Sequence, residues 1–221
     1  MHKPLVWFTL LLMIIFASPA DAEQLTGKWR GKLQMAPQAA LTIGINITHS
    51  EKGYSLTLDS PNQGMFDYSP SQFNIDGNRV QFQDDKLNAS FSGTLVDGQL
   101  QGEFTQGKTL TLNLTKLNEA QLEMLENEGS WYGDLIINNS ARLPLVLNIA
   151  VAGDGYHVTL DSPKQQSFGI PVDKFNITPA EMTFSSAIIN ASYSATWQDG
   201  SWQGTFVQGS AMPLVLKKKP T

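Results

Sequence analysis

The chain has 221 residues, 41% of them hydrophobic, no cysteine, and a formal net charge of −5. Without cysteine there is no disulfide, no thiolate metal site and no lipid anchor on a cysteine, so stability must come from packed cores alone. The acidic balance argues against nucleic acid or anionic lipid as the main partner, because both need a basic face.

Residues 1–22 read as a secretory signal peptide. His2 and Lys3 precede an apolar run over 5–17, and Ala20-Asp21-Ala22 is a small-residue cleavage pattern. The run is shorter than the roughly 18 residues that suggest a spanning helix. Cleavage after Ala22 leaves about 199 residues with no later membrane span. Export without disulfides fits a bacterial periplasm, or secretion from such a cell.

From Gly27 onward the chain is one sequence written twice. Gly27-Lys28-Trp29-Arg30-Gly31 faces Gly129-Ser130-Trp131-Tyr132-Gly133, an offset of 102 residues that holds without a gap. The expected domains are repeat one over 23–117, a linker over 118–128, and repeat two over 129–221. A residue found in only one copy is not required by the shared fold, and this filters candidate sites.

Both copies read as strands. Leu41, Ile43, Ile45 and Ile47 alternate with Thr42, Gly44, Asn46 and Thr48, and Leu143, Leu145, Leu147 and Ile149 take the matching places. Period two with one apolar face predicts half-buried antiparallel strands. The pattern recurs from Tyr54 to Leu58, at Phe73 and Ile75, at Val80 and Phe82, and on to Leu110, Leu112 and Leu114. Asp97-Gly98 and Asp199-Gly200 mark tight hairpins. Asparagines in N-x-S/T triplets within strands, such as Asn46, are expected to face outward as polar positions. About eight short strands per copy suggest an all-β fold of two small up-and-down antiparallel barrels, lipocalin- or avidin-like. One larger barrel or sandwich built from both copies is the alternative. The linker favours two: Asn118 can cap and Glu119 favours the first turn of a short helix. Lys217-Lys218-Lys219 reads as a solvated strand end.

Catalytic chemistry finds little support. His49 is matched by Val151 and His157 by Ser55, and no G-x-S-x-G elbow or metal-ligand spacing occurs. Asp84-Asp85 is matched by Ser186-Ala187, so this acidic pair reads as a solvated turn. No catalytic residue, metal or cofactor is expected.

Three features occur in both copies. Trp29 and Trp131 sit between glycines that are expected to make room for the ring, as a core closure or as an aromatic floor for a ligand. Asp-Ser-Pro-x-Gln places Ser60 and Gln63, and again Ser162 and Gln165, at a strand end with a fixed turn. Phe-x-Gln-Gly places Gln106 and Gln208 on the inward parity of a strand, where an amide needs a partner. Gln106 is expected either to bond the Asp-Ser-Pro turn or, with Ser60 and Gln63, to rim a small apolar pocket.

The succession Gly-x-Trp-x-Gly-x-Leu, Leu-x-Leu-x-Ile, Leu-Asp-Ser-Pro-x-Gln, Phe-x-Gln-Gly and Leu-x-Leu resembles the non-catalytic β-rich region that precedes the catalytic domain in secreted bacterial α/β-hydrolases. Repeat two is closer to it, through Phe168-Gly169-Ile170-Pro171-Val172 and Met212-Pro213-Leu214-Val215-Leu216. Repeat one departs at Asp67-Tyr68-Ser69 and Thr111. The opening Gly-x-Trp is also similar to lipocalin-like barrels. The resemblance implies a tandem accessory module without its catalytic domain. The expected function is a non-enzymatic binding module for a small apolar ligand or an envelope protein. Alternatives are a subunit acting in trans with a separate periplasmic hydrolase, and a weak hydrolase that uses Ser60 or Ser162.

Overall fold

The computed structural model describes residues 24–138 and 140–219. The expected signal peptide lies outside the described residues. Repeat one runs β1 (Gly27–Ala36), β2 (Ala39–Ser50), β3 (Gly53–Ser60), β4 (Met65–Tyr68), β5 (Gln72–Asp76), β6 (Arg79–Asp84), β7 (Ala89–Val96), β8 (Gln99–Gln106) and β9 (Lys108–Lys116). Helix α1 (Glu119–Met124) follows. Repeat two runs β10 (Gly129–Ile136), β11 (Arg142–Ala152), β12 (Gly155–Ser162), β13 (Ser167–Pro171), β14 (Lys174–Ile177), β15 (Glu181–Ser186), β16 (Ala191–Gln198), β17 (Ser201–Gln208) and β18 (Ser210–Lys218).

Each repeat makes its own curled antiparallel sheet, with strand order β4-β3-β2-β1-β9-β8-β7-β6-β5 in the first and the same plan in the second. The fold is all-β and two-barrelled, not one fused sheet. Nine strands replace the expected eight, for a geometric reason. Every neighbouring pair is antiparallel, including β1 with β9. Around that circuit, β4 and β5 must run in the same direction. They are two halves of one strand: the first half pairs with β3 and the second with β6. Ser69-Pro70-Ser71 makes the break, where proline brings no N–H to a ladder. In repeat two the break falls at Val172-Asp173.

Asp84 fastens this break. It is buried at the end of β6 and accepts from Leu87 N at 2.7 Å, from Ser71 N at 3.0 Å, and from the Tyr68 and Ser71 hydroxyls at 3.1 Å. Desolvation opposes its charge, but these hydrogen bonds together hold the carboxyl below its ordinary range. The reading of Asp84 as a solvated turn residue is therefore corrected. Repeat two keeps part of this device: one carboxylate bond comes from the other side of the break, while the buried Ser186 Oγ finds no hydrogen-bond partner among the described residues. Asp173 stands where repeat one has Ser71, Ser186 stands where it has Asp84, and Asp173 Oδ2 accepts from Ala187 N at 2.6 Å.

Alternation fills each core as expected. Ile45, Leu58, Phe82, Phe91, Phe104 and Leu112 pack in the first, and Leu147, Leu160, Phe184, Tyr193, Phe206 and Leu214 in the second. The hairpin turns have both residues at positive φ, Asp97 at 49° with Gly98 at 77°, and Asp199 at 49° with Gly200 at 75°. Gly31 is needed for a different reason than expected. A Cβ there would lie 2.1 Å from the carbonyl oxygen of Asn113, so the missing side chain admits the backbone of β9, not the Trp29 ring. Gly133 meets the carbonyl oxygen of Val215 in the same way, at 2.2 Å.

The linker helix is capped by Asn118 and Gln121, whose side chains bond each other's backbone N–H. It is also docked, because Gln121 Nε2 donates to the Gly153 carbonyl at 2.7 Å and Asn127 Nδ2 to Tyr156 Oη at 2.9 Å. The repeats pack chiefly through β11, which meets the Pro61–Gln63 turn, β1 and β2 of repeat one. The middle of β2 and of β11 is buried on both faces, which a one-face-out strand would not be. Asn46 faces out of its barrel, as expected for an N-x-S/T asparagine, but it is buried in this region and not solvated.

Candidate functional site

The three shared features fall in two places. Trp29 is 1% exposed at the linker end of its barrel, where its Nε1 donates to the Leu25 carbonyl at 2.8 Å. Trp131 repeats this with the Asn127 carbonyl at 3.2 Å. A lysine ammonium stands near each ring, Lys116 over Trp29 and Lys218 over Trp131. Ser60, Gln63 and Gln106 gather elsewhere, around one interior space lined also by Leu33, Leu41 and Phe104.

That space is about 60 Å³. It would hold about two waters and falls well short of the ~300 Å³ at which ordinary ligand pockets begin. Ser60 is buried and its hydroxyl donates to Gln63 Oε1 at 2.7 Å; Ser162 and Gln165 do the same at 2.7 Å. Gln106 departs from one of its two expectations and stands with Ser60 and Gln63 at the rim of this space. It is exposed, and its Nε2 donates to the Leu87 carbonyl at 2.9 Å instead of to the Asp-Ser-Pro turn. Gln208 makes the equivalent bond to the Ile189 carbonyl at 2.9 Å. Both amides staple β8 or β17 to the turn before the neighbouring strand.

The aspartates of Asp-Ser-Pro reach across the sheet. Asp59 Oδ1 accepts from Asp67 N at 2.8 Å and Oδ2 from Asn46 Nδ2 at 2.9 Å. Asp161 accepts from Gly169 N at 2.7 Å and Asn148 Nδ2 at 2.8 Å. Each carboxylate holds a residue of the facing strand at positive φ, Asp67 at 50° or Gly169 at 66°.

Residues unique to one copy build the region between the repeats. Arg30, 1% exposed, donates to Asp59 Oδ2 at 2.5 Å and to Asn46 Oδ1 at 3.0 Å, and its guanidinium lies 3.6 Å from Glu128 Oε2. Glu128 Oε1 accepts from Val151 N at 2.9 Å. Burial pushes the Glu128 carboxyl up, Arg30 and the Val151 N–H pull it down, and Asp59 pushes it up again; the net direction is up. Thr42 Oγ1 meets His157 Nδ1 at 2.9 Å, and Asn62 Nδ2 donates to the His157 carbonyl at 3.4 Å. Burial and nearby Lys32 hold His157 below its ordinary value, against the opposing pull of Asp154. His49 is engaged elsewhere, tilted over Tyr54 at 4.6 Å.

Sequence reasoning passed over Arg30 and His157 because each occurs once. A usable signal was the outward parity of β11: Val146, Ala150 and Ala152 are apolar where a solvated face should be polar.

Beside this contact lies an open cleft of about 830 Å³ between the repeats. Asn62, Phe66 and Asp67 line it from repeat one, and Tyr132, Asn148 and Asp161 from repeat two. Lys219 also lines it, with its ammonium 5.7 Å from the centre of the Tyr132 ring. The volume is that of a ligand site, with convergent polar groups and two aromatic walls. Among the described residues, no group of three or more His, Asp or Glu is placed to hold a metal ion.

No family model matches the chain, and no curated protein matches it. Among solved structures, the chain is similar to a protein with unknown function from the DUF3598 family of Nostoc punctiforme. That likeness is 12% in identity over 90% of this chain and 98% of the other, with a TM-score of 0.28, and it carries no argument about function.

Proposed function

We propose that this chain is a non-enzymatic binding module of the bacterial envelope whose recognition surface is the cleft between its repeats. The carrying observation is the contrast in space: about 60 Å³ inside the first barrel and about 830 Å³ between the two. A small apolar ligand fits poorly in the former, while an amphipathic ligand or a polypeptide segment fits the latter. Ser60 and Ser162 each donate to a glutamine, an acceptor that is no general base, which supports a non-catalytic reading.

Photo-crosslinking in the native cell tests the reading. A photoreactive residue at Phe66 or Tyr132 is expected to give a discrete adduct, and one at exposed Glu103 on the outer face of β8 is not. Equal labelling from all three positions would remove the cleft as the recognition surface. The resemblance to hydrolase-associated regions supports a separately encoded hydrolase as the crosslinked species. Purified protein is expected to show no turnover of a generic ester.

A further inference from the structure

We propose that the inter-repeat cleft binds a guanidinium group, held by the Asp161 carboxylate beside the Tyr132 ring. This rests on the cleft being the recognition surface and names the chemistry it recognises.

The chain contains its own precedent. In repeat one, Arg30, Gly44 and Asp59 form a row across three neighbouring strands. The Arg30 guanidinium lies over Gly44 to reach Asp59, and a Cβ on Gly44 would stand 2.2 Å from Nη1. Repeat two has the same row, filled by Tyr132, Val146 and Asp161. The carboxylate is kept and so are its two fixed donors, the facing-strand N–H and the neighbouring asparagine amide. The arginine and the glycine that admits it are exchanged, and Val146 fills the space over the middle strand. Ser130 occupies Asn148 Oδ1, so a guanidinium reaches Asp161 from the cleft side.

Two donors leave part of a carboxylate's capacity for about four hydrogen bonds unused. Among the described residues, Asp161 has no cationic partner. Asp59 is buried against Arg30, whereas Asp161 remains partly exposed and lines the cleft. A guanidinium suits it better than an ammonium, because the planar fork can bond a carboxylate and stack on an aromatic ring together. Tyr132 supplies the ring, and Lys219 shows that its face accepts a cation. Asp67 and Asp161 together outweigh the one ammonium of Lys219 in the cleft.

Calorimetric titration of the mature chain with Nα-acetyl-arginine-methylamide tests this. The citrulline counterpart, equal in shape but neutral, and the lysine counterpart serve as controls. The arginine probe is expected to bind at least about tenfold more tightly than either. Asp161→Asn is expected to lower its affinity about tenfold or more. The double variant Tyr132→Arg/Val146→Gly rebuilds the row of repeat one and is expected to abolish binding with an unchanged circular dichroism spectrum. Free arginine and an arginine-containing peptide distinguish the source: tighter peptide binding assigns a protein segment, and tighter free arginine a small molecule. Equal affinity for the citrulline probe, no binding of any probe, or an unchanged Asp161→Asn would overturn the proposal. The crosslinking result bears separately on the cleft itself.

Discussion

Replacing Arg30 by methionine tests how the two repeats are held together. The guanidinium is 1% exposed and stands between two carboxylates, Asp59 and Glu128. Breaking a buried ion pair by removing one partner costs about 3–5 kcal/mol, because the remaining charge loses its compensation. Both carboxylates keep other donors: Asp59 keeps Asn46 and the Asp67 N–H, and Glu128 keeps the Val151 N–H. The loss should therefore fall near the lower limit, about 3 kcal/mol. For a chain of this size that corresponds to a fall in Tm of roughly 6–12 °C. Urea unfolding followed by tryptophan fluorescence measures it, since Trp29 reports on repeat one and Trp131, Trp197 and Trp202 on repeat two. The triple variant Arg30→Met/Asp59→Asn/Glu128→Gln removes the stranded charges and should recover at least half the loss. If Arg30→Met stays within about 1 kcal/mol of the parent, the guanidinium is effectively solvated and the reasoning fails.

Four further outcomes are expected. Asp84→Ser should lower the denaturation midpoint, and adding Ser71→Asp should restore part of it by copying the exchange seen in repeat two; no recovery in the double variant would count against a shared fastening role. Gly31→Ala and Gly133→Ala should each cost about 2 kcal/mol or more by forcing Cβ into a facing carbonyl, as measured by thermal unfolding. The depressed His157 makes the folded state bind fewer protons than the unfolded chain, so its contribution is present above pH 6.5 and is lost as pH falls through the lower folded value; His157→Gln should flatten that part of a Tm-against-pH curve. Gln106→Ala removes one exposed amide bond and should cost no more than about 1 kcal/mol by chemical denaturation.

The strands, their hairpins and the capped linker were legible because each depends on neighbours in sequence. Ile43 and Ile45 announce an inward face without knowing what lies opposite. The broken strand was half legible. Ser69-Pro70 marks an interruption, but only the closure of β1 on β9 shows that two short strands count as one. The inter-repeat region left one sequence signal, the apolar outward face of β11, and the duplication itself hid its polar members. Comparing copies selects what both need to fold alone. Arg30, Gly44, Glu128 and His157 serve the contact of one copy with the other, where the two cannot be alike. Asp84 was misread for a related reason: its counterpart Ser186 suggested an idle position, while the carboxylate had moved across the sheet to Asp173.

Closure of the first strand on the last has a consequence for how such a chain comes to be doubled. Leu117 N donates to the Lys28 carbonyl at 2.8 Å, and Lys219 N to the Ser130 carbonyl at 2.9 Å. Each barrel therefore takes in and releases its polypeptide at one spot, beside its tryptophan. A gene segment that encodes such a unit can be copied end to end without threading through or reopening the original. The joint needs only enough residues to turn from one doorway to the next, and those residues are free to serve a purpose that a single copy does not have, as Glu128 does between Arg30 and the Val151 N–H.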